Sequence, residues 1–255
     1  MSEKTLRICH LYPDLLNLYG DRGNILCMRR RLEWRGIDAE VTEVTVGQQA
    51  DFTQFDLFFI GGGQDFEQEV LLSDLKAGKG SEIKAAIADG KTFLTICGGY
   101  QILGHEWLLG DEVVQGLGIV DMTTERAAGG SGDRLIDNIV LTSPLAKRPV
   151  VGYENHAGRT HLGAGVEPFG AVASSTGHGN NDADKQDGVR YKNVVGTYLH
   201  GPLLPKNPQV ADALLARALE RRARRAGVPV PELAPLDDAV ENAANEYVRN
   251  RLNAG

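Results

Sequence analysis

The chain has 255 residues, with 27 Lys and Arg against 34 Asp and Glu, a formal net charge of −7 and 42% hydrophobic residues. That length and composition suit one or two globular domains with a full core, and exclude a collagen-like, disordered or disulfide-stapled chain. The mild acidic excess argues against a general nucleic-acid binder, which carries a basic face or stripe.

In chain order, the N-terminal segment MSEKTLRICHLYPDLLNLYG lacks the apolar core and small-residue cleavage site of a secretory signal. Leu6 to Leu11 reads as a short buried strand followed by a Pro-Asp turn. The turn Gly20-Asp21-Arg22-Gly23-Asn24 leads into a helix from Ile25, stopped by Gly36. Asp38 to Val46 alternates as a strand, and Phe55 to Ile60 is a continuous apolar strand ending in Gly61-Gly62-Gly63. Helices are expected over 64–77 and 81–89, separated by AGKGS. Thr92 to Cys97 is another buried strand, and Gly98 to Gly104 opens a helix. Short strand-like runs follow at 117–122, 135–142, 149–154 and 168–174, then Val194 to Leu199 just before His200. A helix over Pro208 to Ala226, the Pro-interrupted linker VPVPELAPL and a helix over Asp237 to Leu252 complete the chain.

Alternation of strands and helices at this spacing argues for an α/β fold, a mostly parallel central sheet with helices on both faces. The organisation expected is a catalytic domain over 1–205 with a helical C-terminal appendage of the same domain over 206–255. No run approaches the ~18 apolar residues that span a bilayer. Three cysteines (Cys9, Cys27, Cys97) form no disulfide framework, so a cytoplasmic location is expected, peripheral to the inner face of the membrane if the substrate is lipid-linked.

Thr95-Ile96-Cys97-Gly98-Gly99-Tyr100-Gln101 carries the strongest chemical signal. A Cys between a buried strand and a helix sits on a tight turn that lifts its side chain over the sheet edge, and the glycines relieve the crowding there. The following helix would also favour the thiolate. Cys9 and Cys27 read instead as small buried hydrophobes. Among six histidines, His200 stands directly after a buried strand, at the carboxyl edge where sites of α/β sheets assemble. His10 lies at a strand end, His105 in the helix after the elbow, His156 and His161 in a Gly-rich loop, and His178 in a polar loop. Attack on an amide creates an oxyanion, for which Gly62, Gly63 and Gly98 are the candidate N–H donors.

These three segments resemble class I glutamine amidotransferases, and the Cys-Gly-Gly-Tyr-Gln elbow is similar to that of their cobyric-acid-synthase-like branch. The segments LNLYGDRGNI, FFIGGGQD, LTICGGYQILG, VGYENHAGRT, HGNND and GTYLHGPLLPKNP further resemble GatD, the glutaminase subunits of lipid II isoglutaminyl synthases. The resemblance implies a flavodoxin-like fold and a thioester on Cys97. It implies a MurT-type, Mur-ligase-like partner that uses ATP and Mg to amidate the D-glutamate α-carboxyl of the stem peptide. It also assigns glutamine binding to Arg134, with Arg126 as the alternative across the Ala-Ala-Gly-Gly-Ser stretch.

Joining ammonia to a carboxylate requires activation by a nucleoside triphosphate, and no G-x-x-x-x-G-K-[ST] occurs in this sequence. No cofactor is therefore expected on this chain, and ATP should sit on the partner. Where the commoner branch has a Glu two residues after the His, this chain has Pro202. The missing carboxylate is expected from the partner, with Asp21 and Glu154 as alternatives within the chain; Asp21 could equally cap the first helix. The Asp182-Asp184-Asp187 loop departs from calcium-loop spacing, no His/Cys pair has metal-ligand spacing, and Arg221-Arg222-Ala-Arg224-Arg225 reads as a solvent- or partner-facing surface. Rival readings are an amidotransferase subunit for a corrinoid precursor and a non-catalytic module that binds glutamine or a partner.

Overall fold

Residues 5–63, 65–109, 112–127, 129 and 132–252 are described by a computed structural model of the protein. The start of the N-terminal leader reading, Gln64 at the head of one expected helix, and Ala128, Gly130 and Ser131 lie outside these.

The apolar run Leu6–Leu11 forms strand β1 as expected. Helix α1 (Arg22–Glu33) starts earlier than the sequence suggests, because Asn17 Oδ1 accepts the Arg22 N–H at 2.8 Å and recruits the Gly-Asp-Arg-Gly turn into the first helical turn. Strands β2 (Ala39–Val44) and β3 (Leu57–Ile60) follow. Helices α2 (Asp65–Asp74) and α3 (Gly80–Ala88) are not separated by a loop; a wider π-type turn over Leu75–Lys79 joins them, kinked where Gly78 takes φ 143°. Strand β4 (Thr92–Ile96) leads into α4 (Gly98–Gln101). That helix is one turn long rather than reaching Gly104. The Ile102 and Leu103 carbonyls accept instead from Leu117, Ile119 and Val120 at 2.8–3.0 Å, so the expected strand at 117–122 serves as a brace for the elbow.

The remainder is richer in strands than expected: β5 (Glu106–Leu109), β6 (Glu112–Gln115), β7 (Met122–Arg126), β8 (Leu135–Thr142), β9 (Val150–His156), β10 (Gly158–Leu162), β11 (Gly170–Val172), β12 (Gln186–Asp187), β13 (Val189–Tyr191) and β14 (Val194–Thr197). Helices α5 (Pro208–Ala226) and α6 (Ala239–Arg251) close the chain. His156 and His161 lie in β9 and β10, not in a loop, and His105 lies in the bend after α4, not in a helix.

The central sheet has six strands in the order β13-β14-β4-β3-β1-β2, all parallel except β13. Successive residues Phe58 and Phe59 point to opposite faces and both are fully buried, so both faces of the sheet are covered. Phe58 stacks on Phe93 of the next strand with centroids 4.5 Å apart, part of the aromatic centre of the core. Two four-stranded sheets, β10-β7-β5-β6 and β12-β11-β8-β9, flank it. The second delivers Tyr153 to a backbone bridge with His200.

The C-terminal helices are tied to the first. Arg31 of α1 is buried and forms paired bonds with Asp212 of α5 (2.7 and 2.8 Å) and with Asp238 at the head of α6 (2.6 and 3.1 Å). Of the basic run on α5, Arg221 pairs with Asp89 and Arg222 with Asp56, so both face their own chain. Among the described residues no helix is long and apolar enough to cross a membrane.

Candidate active site

Four chain segments end at the carboxyl edge of neighbouring parallel strands: the loop after β1 carrying Asp21, Gly61–Gly63 after β3, Cys97 after β4 and His200 after β14. The order β2-β1-β3-β4 reverses direction between β1 and β3, the kind of switch point at which α/β sheets open a crevice.

Cys97 takes φ 48° and ψ −111°, a strained backbone for a residue with a Cβ. Its N–H is held by the Thr197 carbonyl at 2.9 Å, and its own carbonyl accepts from Tyr100 and Gln101, both at 2.9 Å. The strain is fixed by packing: a Cβ on Gly99 would stand 2.6 Å from Ile60 Cγ2 and 2.7 Å from the Gly61 carbonyl, so only glycine lets the turn close on β3. The helix that follows Cys97, expected to reach Gly104, is a single turn.

His200 is fully buried. Its Nδ1 lies 3.2 and 3.3 Å from the two Asp21 oxygens, while the buried Nε2 has no hydrogen-bond partner among the described residues. Burial opposes charge on this ring, but the Asp21 carboxylate and the negative charge available at the Cys97 sulfur outweigh it and push the imidazole up to about 10. The site therefore favours an imidazolium beside the sulfur. A Cβ on Gly62 would meet His200 Cε1 at 2.6 Å, Cys97 Cβ at 3.1 Å and Asp21 Oδ2 at 3.3 Å, so four residues converge on one point that only glycine leaves open.

Three expectations change here. The acid facing His200 is Asp21 of the same chain, and no partner carboxylate is needed to complete the arrangement. Asp21 makes no side-chain cap to α1; its Oδ2 accepts the Gly62 N–H at 2.9 Å. Glu154, the other acid considered, binds the His178 and Gly179 N–H groups, each at 2.8 Å, and braces that loop. Because the Gly62 N–H is committed to Asp21, it is not an oxyanion donor in this arrangement. The Gly63 and Gly98 N–H groups have no acceptor among the described residues and keep that candidacy.

Arg134 donates from Nε to Asn155 Oδ1 at 2.6 Å and from Nη2 to the Asn155 carbonyl at 2.9 Å, with its outer edge toward solvent. Asn155 Nδ2 in turn donates to the Tyr19 hydroxyl at 2.5 Å, and the Tyr19 ring meets His200 edge-on with centroids 4.9 Å apart. Arg134 is thus linked to the catalytic cluster, whereas Arg126 lies in β7 opposite Gly158. Sequence reasoning missed Tyr19, Tyr153 and Asn155. The alternation of Tyr153 and Asn155 along β9 was a usable signal that they share a face; nothing local marked Tyr19. Among the described residues no group of His, Cys, Asp and Glu is arranged to hold a metal ion.

The profile of the CobB/CobQ-like glutamine amidotransferase domain matches residues 7–208. The chain belongs to this family. It is a glutamine amidotransferase, and its fold agrees with that of a solved Thermotoga maritima structure titled PurLQS (TM-score 0.56, 17% identity, 82% of this chain and 97% of that one). Two relatives are named lipid II isoglutaminyl synthase (glutamine-hydrolyzing) subunit GatD. The Staphylococcus aureus protein is 42% identical over 97% of this chain and 96% of its own, and the Streptococcus pneumoniae protein 38% identical over 85% and 82%.

Proposed function

We propose that this amidotransferase is the glutaminase subunit of a lipid II isoglutaminyl synthase and feeds ammonia to a MurT-type, Mur-ligase-like partner. The observation that carries the chemistry is the convergence of Cys97, His200 and Asp21 around Gly62; full-length similarity to subunits of that name supports the biological assignment.

The Cys97 thiolate attacks the glutamine carboxamide carbon, and the developing oxyanion is met by the Gly63 and Gly98 N–H groups. His200 gives its Nε2 proton to the departing nitrogen, ammonia leaves, and a thioester remains on Cys97. A water then enters, His200 takes its proton as the thioester is attacked, and glutamate is released. Asp21 keeps Nδ1 protonated and steadies the imidazolium throughout. Arg134 offers its outer guanidinium edge to the substrate α-carboxylate.

Hydrolysis of glutamine does not by itself amidate anything. The acceptor carboxylate, the D-glutamate α-carboxyl of a lipid II stem peptide, must be activated with ATP and Mg, and we assign that step to the partner. The pair would work from the cytoplasmic side, at the inner face of the membrane, with lipid II reached through the partner. The test is ammonia release and lipid II amidation by the chain with its co-purified partner. Cys97→Ala should abolish glutamine-dependent amidation by at least about 10³-fold while amidation from added ammonium salt persists. Glutaminase activity surviving in Cys97→Ala would remove Cys97 as the nucleophile; a partner without ligase activity would remove the lipid II assignment.

A further inference from the structure

Tyr19 occupies the left-handed region, φ 55° and ψ 25°, immediately before Gly20, which is also left-handed at φ 77°. A bulky side chain in that region costs free energy that the ring does not recover by burial, since the residue is 41% exposed. Local turn geometry does not explain the strain, because the adjacent glycine could turn the chain alone. What holds Tyr19 is contact with the site. Its ring stands edge-on to His200 at 4.9 Å and 69°, and to Tyr153 at 5.7 Å and 77°. Its oxygen accepts from Asn155, and both the Asn155 side-chain oxygen and backbone carbonyl are gripped by Arg134. The Leu18 N–H is anchored on the Gly62 carbonyl at 2.9 Å, and Asp21, which accepts the Gly62 N–H, follows Tyr19 by two residues. One short segment therefore confines the His200 ring on two sides, with the carboxylate at Nδ1 and the phenol ring against the imidazole.

We propose that Tyr19 is a positioning residue that couples occupancy of Arg134 by the substrate α-carboxylate to the orientation of His200, through the unbroken series Arg134–Asn155–Tyr19–His200. This rests on the reading of Arg134 as the glutamine carboxylate site. The two ends of Tyr19 have separable duties. The hydroxyl end holds Asn155 and, through it, the guanidinium in the pose that receives substrate. The ring end limits the tilt of the His200 ring, which shares the space beside Gly62 with Cys97. Side chains that engage a substrate carboxylate are thereby mechanically linked to the proton-transfer group, and an amide lacking an α-carboxylate would leave the link unused.

The experiment compares Tyr19→Phe, Tyr19→Ala, Arg134→Ala and the double variant Arg134→Ala/Tyr19→Phe, each purified with its ligase partner. Steady-state glutaminase kinetics are read beside the pH profile of Cys97 alkylation by iodoacetamide, which needs no glutamine. In Tyr19→Phe, losing one hydrogen bond should raise KM about 3- to 10-fold, with the smaller part of the effect on kcat. In Tyr19→Ala, losing the ring contact should lower kcat by a further factor of about 3 to 10 and displace the alkylation profile. The double variant should show no more KM defect than Arg134→Ala alone, because the hydroxyl acts only through the guanidinium.

If Tyr19→Phe adds its full factor to Arg134→Ala, the hydroxyl acts independently of Arg134 and the coupling is overturned. If Tyr19→Ala leaves the alkylation profile where it was, the role of the ring on His200 is overturned. An Arg134→Ala enzyme with unaltered KM would instead overturn the glutamine-carboxylate reading beneath the proposal, an outcome distinct from the other two. Parallel losses in Tyr19→Phe and Tyr19→Ala that track only thermal stability would reduce Tyr19 to a structural residue.

Discussion

The His200–Asp21 contact sets the chemistry of the site at the scale of single residues, and it makes a pH prediction with a definite sign. The imidazole is raised in the folded protein to about 10, above its ordinary value of about 6.5. Its contribution to stability is therefore fully present below about pH 6.5 and is lost as pH rises through about 10. Urea midpoints should fall between pH 7 and pH 10 in the native protein and fall less steeply in Asp21→Asn, whose imidazole titrates lower. Identical slopes in the two proteins would show that Asp21 is not the cause. The same substitution should lower kcat for ammonia release by roughly 10³-fold or more, because the ring loses the acceptor that fixes its tautomer. At this scale the sequence was legible wherever chemistry demands a residue type next to a structural break: Cys97 between strand and Gly-Gly, and His200 after an apolar strand. Asp21 was visible only as a helix cap or a candidate acid. Its partner lies 179 positions away, a distance that no local pattern crosses.

Among the elements, the elbow depends on α4 closing against β3, and Gly99 is where the two backbones touch. Gly99→Ala places a methyl within 2.8 Å of both Ile60 and Gly61 backbone or side-chain atoms. Overpacking of this kind should destabilise the fold by about 1–3 kcal/mol. It should also reduce activity more than that loss explains, since Cys97 would move with the turn. Chemical denaturation alongside kcat checks both. The parallel strands and both C-terminal helices could be read from the sequence because their apolar patterns are long and uninterrupted. Of the flanking strands, β8, β9 and β11 could also be read, from the apolar runs at 135–142, 149–154 and 168–174, whereas β5, β6, β7, β10 and β12 could not. Strands β10 and β12 are polar, and β13 at the edge of the central sheet is three residues long; each exists because a neighbour completes its ladder.

For the molecule as a whole, the Arg31 clamp decides whether the C-terminal helices are an attachment or part of the structure. The guanidinium is buried, while Asp212 and Asp238 keep roughly a quarter of their side-chain surface exposed. Arg31→Leu would leave two carboxylates without their common partner. Because both reach solvent, the expected cost is about 2–3 kcal/mol, under the range for a fully buried pair. A urea titration would measure it, and a loss under about 0.5 kcal/mol would show that α5 and α6 hold without the clamp. Buried Val210, Leu214, Leu215 and Leu219 on α5 place the helix in the main core.

Within the Gly61–Gly63 tripeptide, the Gly62 amide grips Asp21 and the Gly62 Cα faces both His200 and Cys97, while the neighbouring Gly63 amide is a proposed oxyanion donor. Base strength and electrophile polarisation are thus wired into the same few atoms of main chain. An engineer seeking to retune one of them would inherit a change in the other. Effects of loop and Asp21 variants should therefore interact when combined, and suppressors of a weakened loop would have to arise outside it.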